Sequence, residues 1–75
     1  MGQLARVLQD HVITLLVQGR ALGLLHGEEG VLVAQEAQSV LDEAECEMMR
    51  DGEMSAEVVE DLKRAYRALK TLLGR

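Results

Sequence analysis

Apolar side chains recur at spacings of three and four residues along almost the whole chain, and this period is typical of α-helices. The repeat is interrupted at two places, residues 27–30 and Gly52, where glycine is suited to ending a helix. The 75 residues include no proline, phenylalanine or tryptophan. The pattern therefore predicts an all-α fold with helices over residues 3–25, 31–50 and 56–73.

Only a few residues separate the predicted helices, so neighbouring helices are expected to run antiparallel. An antiparallel up-down-up three-helix bundle meets this condition, and so does an extended helical hairpin with one helix packed on a partner. In both cases the 75 residues form one domain, residues 1–75. The single cysteine, Cys46, excludes a scaffold held by disulfides within the chain.

The second and third predicted helices each carry one regular apolar seam. The seam of the second helix contains small residues that let another helix approach closely; it consists of Ala34, Ala37, Leu41, Ala44 and Met48. The seam of the third consists of Val58, Leu62, Ala65, Leu69 and Leu72. Ser55 fits the N-cap of the third helix, and Met54 and Val59 fit the two positions of a hydrophobic staple.

The first predicted helix has more apolar residues than one face can hold. Its main stripe consists of Leu4, Val7, Leu8, Val12, Leu15, Leu22 and Leu25, with Ala5, Leu16, Gly19 and Gly23 at the edge. Ile13, Val17 and Leu24 fall on the opposite side. A helix that is apolar nearly all round is usually buried from both sides. Gly19 and Gly23, four residues apart, are expected to admit a close backbone contact.

The surplus apolar residues predict self-association. A short bundle with a core of leucine, valine and alanine buries limited apolar area against the entropy cost of ordering the chain. We therefore expect a homodimer or a larger assembly, with a contact formed by Ile13, Val17, Leu24, Gly19 and Gly23. The alternative is that the other two helices cover both sides of the first helix within one chain.

Charge is distributed unevenly along the chain, whose net charge is −5. Residues 28–62 contain twelve of the 13 carboxylates and a single cation, Arg50. An antiparallel hairpin would gather most of these carboxylates around the loop near Asp51. The predicted acidic surface consists of Glu43, Glu47, Asp51, Glu53, Glu57 and Asp61. It is either a docking surface for a basic protein partner or a solvated end that only aids solubility.

The third helix carries the basic residues Lys63, Arg64, Arg67 and Lys70. They support an alternative function, in which a small helical dimer binds DNA or RNA. The acidic net charge disfavours nucleic-acid binding, and Tyr66 as the only aromatic side chain leaves no stacking platform for single strands. The same cations also suit the negative end of the helix dipole. Nucleic acid is therefore the second choice of partner.

No combination of residues predicts catalysis, a cofactor or a metal site. His11 and His26 would be about 22 Å apart along one helix, too far to share a metal ion. Cys46 lies between Glu45 and Glu47, whose charges disfavour the thiolate that a nucleophile requires. Without a catalytic set, the chain is not expected to be an enzyme.

The sequence as a whole predicts a non-enzymatic protein-interaction module that self-associates and binds another protein. A regulator, an adaptor, an inhibitor and a small chaperone subunit all fit this description. No stretch reaches the roughly 18 consecutive apolar residues of a membrane-spanning helix. A single thiol and no recognisable export signal predict a cytoplasmic location.

Overall fold

The computed structural model describes the backbone of residues 2–74 and the side chains of residues 4–74. In this part of the chain there are three helices, α1 (Gly2–Ala21), α2 (Gly27–Asp51) and α3 (Ala56–Leu73). Each helix packs against the other two, in a bundle that measures 36 × 18 × 18 Å. The predicted all-α three-helix bundle is confirmed. The extended hairpin is wrong, because α1 packs on both α2 and α3.

The core lies along the axis of the bundle, and α3 is its main contributor. α3 buries Val58, Val59, Leu62, Ala65 and Leu69, whereas α2 buries chiefly alanines and α1 buries Ala5, Val12 and Leu16. The alanines of α2 let α3 approach closely, as the seam predicts. Contacts between α2 and α3 and between α1 and α3 are extensive, and those between α1 and α2 are the sparsest. α1 therefore rests mainly on α3.

The connection between α2 and α3 is built as the sequence predicts. Gly52 ends α2 with a φ of 78°, and its N–H donates to the Met48 carbonyl at 2.9 Å. Ser55 caps α3, since its Oγ accepts a hydrogen bond from the Val58 N–H at 3.3 Å. Met54 and Val59, the predicted staple, are both buried in the core. Each of these features fixes where one helix stops and the next begins.

The connection between α1 and α2 differs from the prediction, because α1 ends at Ala21 rather than residue 25. Gly23 adopts a φ of 69°. The Leu24 N–H donates to the Gly19 carbonyl at 2.8 Å, and the Gly23 N–H donates to the Arg20 carbonyl at 3.2 Å. These bonds form a Schellman motif, which closes a helix at a left-handed residue. Apolar residues continue beyond this stop, and their periodicity therefore overestimated the length of the helix.

α2 begins at Gly27, four residues earlier than predicted. Glu28 and Glu29 lie in its first turn, where the helix dipole favours negative charge. Gly30 is buried within the helix instead of ending a turn. A Cβ atom there would lie 2.9 Å from the Leu25 carbonyl carbon. Gly30 therefore allows the backbone of the connection to lie directly on α2.

The buried face of α1 is centred elsewhere than predicted. Leu4, Val7 and Leu22, placed in the main stripe, are exposed, and Leu4 is 81% exposed. Ala5 and Leu16, placed at the edge of the stripe, are buried beside Val12, which is buried as predicted. The buried side of α1 is therefore shifted from the middle of the predicted stripe towards its edge. The cause is close packing at small residues: a Cβ at Gly19 would lie 2.9 Å from the Leu25 Cγ and 3.1 Å from the Leu73 Cδ2.

Candidate interaction surfaces

The outer side of α1 exposes two of the apolar residues that were predicted to mediate self-association. Ile13 is 41% exposed and Val17 is 59% exposed, although both belong to a helix that packs on two others. Ile13 lines an open groove of about 480 Å³ between α1 and α2. The other two helices therefore leave these side chains partly uncovered. The alternative in which they cover both sides of α1 within one chain is wrong.

Charged residues continue the line of Ile13 and Val17 in both directions. We call the α1 seam the set Arg6, Asp10, Ile13, Val17 and Arg20, which follow one another at spacings of four, three, four and three residues. This spacing places all five on one side of the helix. All five are exposed, and none of the three charged side chains forms an ion pair within the described residues. The seam therefore has an apolar centre with a charge of each sign beside it.

Three other residues predicted for the same contact lie elsewhere. Gly19 is buried against Leu25 and Leu73, so its close contact is made within the chain. Gly23 lies in the connection after α1, and its positive φ accounts for the glycine. Leu24 is exposed but follows the end of the helix, where its N–H closes the Schellman motif. Both glycines are thus accounted for within the chain, and their place in a chain–chain contact stays a prediction.

Two exposed apolar residues at the start of α2 were not predicted to lie at a surface. Val31 is 46% exposed and Leu32 is 55% exposed. Val31 lines a second open groove together with Arg20, Leu25 and Asp42. This groove shares no lining residue with the groove at Ile13. Sequence analysis missed it because residue 31 was taken as the first residue of the helix, where no neighbouring face could be assigned.

The acidic end of the bundle divides into free and partnered carboxylates. Within the described part of the chain, Glu43, Glu53 and Glu57 are exposed and form neither a hydrogen bond nor an ion pair through their side chains. Asp61 lies 3.3 Å from Arg64. Asp51 lies 3.2 Å from Arg50 and raises the pKa of that guanidinium by accepting its hydrogen bonds.

Glu47 has a structural role that the sequence did not reveal. Its Oε1 accepts a hydrogen bond from the Ser55 N–H at 2.7 Å, and its Oε2 accepts one from the Ser55 Oγ at 3.3 Å. The carboxylate thus anchors the N-cap of α3 to the last turns of α2. A partner would find Glu47 already engaged, which leaves Glu43, Glu53 and Glu57 as the free part of the predicted acidic surface.

Three of the four basic residues on α3 have partners within the chain. Lys63 pairs with Glu60 and Arg64 pairs with Asp61, each at 3.3 Å. Each of these two cations contacts the carboxylate three residues before it, so Glu60 pairs with Lys63 and not with Arg64. The Lys70 Nζ lies 5.6 Å from the centre of the Tyr66 ring. Only Arg67 lacks such a contact within the described residues, so this side of α3 offers few unengaged charges to phosphates.

The histidines and the cysteine are spread over the surface. His11 stacks on Tyr66 with ring centres 6.1 Å apart, in the contact between α1 and α3. Cys46 is exposed on α2. In the described part of the chain, no three histidine, cysteine or acidic side chains are grouped so as to hold a metal ion.

None of the helices, over the residues described, is long and apolar enough to cross a membrane. Comparison with protein-family models, with curated proteins and with solved structures finds no match to this chain.

Proposed function

We propose that this chain is a non-enzymatic protein-interaction module that self-associates through the outer side of α1 and binds a basic protein partner at its acidic end. The observation that carries the proposal is the exposure of Ile13 and Val17, at 41% and 59%, on a side of α1 that α2 and α3 leave open. Clustered apolar side chains on a small soluble domain mark interaction sites more often than isolated ones do.

Burial of this surface in a second copy would supply apolar contacts that the single chain lacks. Ile13 lines the groove between α1 and α2. Met49 of α2, which is 83% exposed, lines the same groove, so the apolar surface spans two helices. Apolar burial stabilises association by about 25 cal/mol for each Å² removed from water. An assembly of this kind would also cover the groove between α1 and α2, the two helices that contact each other least.

The acidic end supports the second half of the proposal. Glu43, Glu53 and Glu57 are exposed, and they lie in the segment, residues 28–62, that holds all but one of the carboxylates. A surface of one sign attracts a partner of opposite charge and speeds its encounter. A basic protein therefore fits this end better than an acidic one or a nucleic acid.

Light scattering over a concentration series tests the self-association. The parent is expected to reach at least twice the 8.3 kDa mass of one chain, and the double variant Ile13→Glu with Val17→Glu is expected to remain at the mass of one. The matched control is Leu4→Glu with Val7→Glu, which makes the same kind of change on another exposed side of α1. A double variant that associates like the parent would contradict the proposal.

Binding of a fluorescent oligolysine peptide tests the acidic end. The variant Glu53→Lys with Glu57→Lys is expected to weaken binding about tenfold, and added salt should weaken binding to the parent. Glu28→Lys with Glu36→Lys is the control, because it makes the same change in charge away from the α2–α3 connection. Equal losses in both variants would show that net charge alone attracts the peptide.

A further inference from the structure

We infer that the second copy of this chain docks with its α1 antiparallel to the first, on a two-fold axis between Ile13 and Val17, with Asp10 of each copy facing Arg20 of the other. The inference rests on the proposed self-association and specifies its geometry. It is carried by the order of charges along the α1 seam, and it makes predictions that self-association alone does not.

Four of the five residues of the α1 seam are placed symmetrically about one point, and Arg6 lies beyond them. At about 1.5 Å per residue, Ile13 and Val17 lie about 6 Å apart along the helix axis, with their midpoint at the level of residue 15. Asp10 and Arg20 lie about 7.5 Å from that midpoint, one on each side. They are equally distant from the midpoint and opposite in charge. A rotation of 180° about an axis through the midpoint, perpendicular to the helix, therefore exchanges the acid with the base.

A symmetric dimer uses this arrangement directly. In a two-fold contact, if one residue touches a second residue of the other copy, the reverse contact also occurs. An axis through the midpoint of the seam sets Ile13 against Val17 of the second copy, and Asp10 against Arg20 of the second copy. Each contact is then made twice, giving an apolar centre with an ion pair on either side.

The charges also reject the opposite orientation. In a parallel dimer the seam would set Asp10 against Asp10 and Arg20 against Arg20, so like charges would meet at both ends. Like charges facing each other across an interface oppose association and suppress the wrong arrangement. The apolar residues alone tolerate either direction, so the charged residues determine the orientation.

The groove beside the seam strengthens the acidic half of each pair. Glu45 of α2 lines the same hollow as Asp10 and Ile13. A guanidinium brought to Asp10 by the second copy would therefore enter a groove lined by two carboxylates and one cation, Arg6, which leaves a net negative charge. Arg20 is exposed, and within the described residues it forms no ion pair that would have to break first.

Charge reversal tests the orientation. Asp10→Arg sets two arginines against each other in the homodimer, and Arg20→Asp sets two aspartates against each other. Each single variant is expected to raise the dissociation constant of the dimer at least about tenfold. The double variant restores both pairs with their signs exchanged, so its dissociation constant should return close to that of the parent. An equimolar mixture of the two single variants should form a heterodimer.

Matched controls separate orientation from net charge. Glu36→Arg and Arg67→Asp make the same changes in charge at exposed positions away from α1, and they should leave the dissociation constant unchanged. Far-ultraviolet circular dichroism verifies that each variant keeps its helices. All masses are measured by sedimentation equilibrium at one ionic strength, because screening weakens exposed pairs.

Two results overturn the inference, and they differ from each other. If the single reversals leave the dissociation constant unchanged while Ile13→Glu with Val17→Glu abolishes the dimer, the antiparallel orientation is wrong but self-association stands. If the parent stays at the mass of one chain at every concentration, the proposed self-association fails and the inference fails with it.

Discussion

α3 and α1 bury their large apolar residues to different extents. α3 places its large apolar residues in the core, and Leu62 and Leu69 are fully buried. α1 contributes Val12 and Leu16 to that core but leaves Ile13 and Val17 on its outer side. The difference shows that the chain itself covers the apolar face of α3 but leaves apolar residues of α1 exposed.

The two connections repeat this contrast. Ser55 and Glu47 fix the start of α3 through three hydrogen bonds. His26 occupies the N-cap of α2 and makes no capping hydrogen bond with its side chain. The α2–α3 hairpin is therefore tied by specific polar contacts, whereas the α1–α2 connection is held by backbone hydrogen bonds and close packing at glycines.

The largest expected difference in the free energy of unfolding is between a buried leucine of α3 and an exposed leucine of α1. Leu62→Ala removes a fully buried side chain from α3 and should lower the free energy of unfolding by about 2–5 kcal/mol. Leu4→Ala on the exposed side of α1 should change it by less than about 0.5 kcal/mol. Urea denaturation at a concentration below that of self-association measures both. Similar losses in the two variants would show that α1 and α3 are equally buried.

A smaller effect tests how closely the α1–α2 connection is packed. Gly30→Ala adds a Cβ atom 2.9 Å from the Leu25 carbonyl carbon, so the backbone of the connection must move. Overpacking costs about 1–3 kcal/mol, and the better helix propensity of alanine returns up to about 1 kcal/mol. Thermal unfolding should therefore show a net loss of stability. A gain in stability would mean that the connection is loose enough to move away from α2.

Substitutions at the N-caps of α3 and α2 are expected to change the free energy of unfolding in opposite directions. Ser55→Ala removes the hydroxyl that accepts from Val58 and should lower the free energy of unfolding by about 1 kcal/mol. His26→Ser supplies a capping side chain where the backbone is already extended, and it should raise that free energy by about 0.5–1 kcal/mol. Urea titration of both variants checks the signs. If His26→Ser is destabilising, the histidine has a contact that capping cannot replace.

The sequence predictions were also more accurate for α3 than for α1. α3 was bounded correctly, because a single apolar stripe, an N-cap serine and a preceding glycine agree with one another. For α1, apolar residues surround the helix, so their period does not determine which side is buried. The true core side contains Ala5 and Gly19, which carry little hydrophobic weight but allow close packing. Leu24 and Leu25 extend the apolar pattern beyond the true helix end.

The candidate surfaces were predicted in part for similar reasons. Ile13 and Val17 could be identified because they lie opposite the predicted stripe, and both are exposed although the buried face differs from that stripe. The symmetric placement of Asp10 and Arg20 was missed, because a search for apolar periods passes over charged positions in a seam. The role of Glu47 required coordinates, since its contact with Ser55 depends on how the chain turns after Gly52.

The smallest effect concerns the ion pairs on the outer side of α3. Arg64 is 77% exposed and lies 3.3 Å from Asp61, so water competes with the pair. Exposed pairs stabilise proteins by about 0–1 kcal/mol, and Arg64→Ala should therefore lower the free energy of unfolding by less than about 0.5 kcal/mol. Arg67→Ala, at an exposed position without such a pair in the described residues, is the control. Urea denaturation at low salt gives the pair its largest measurable contribution, because screening is then weakest. A loss approaching that of Leu62→Ala would mean that α3 is held by its charges, and the contrast with α1 would then rest on ion pairs instead of apolar burial.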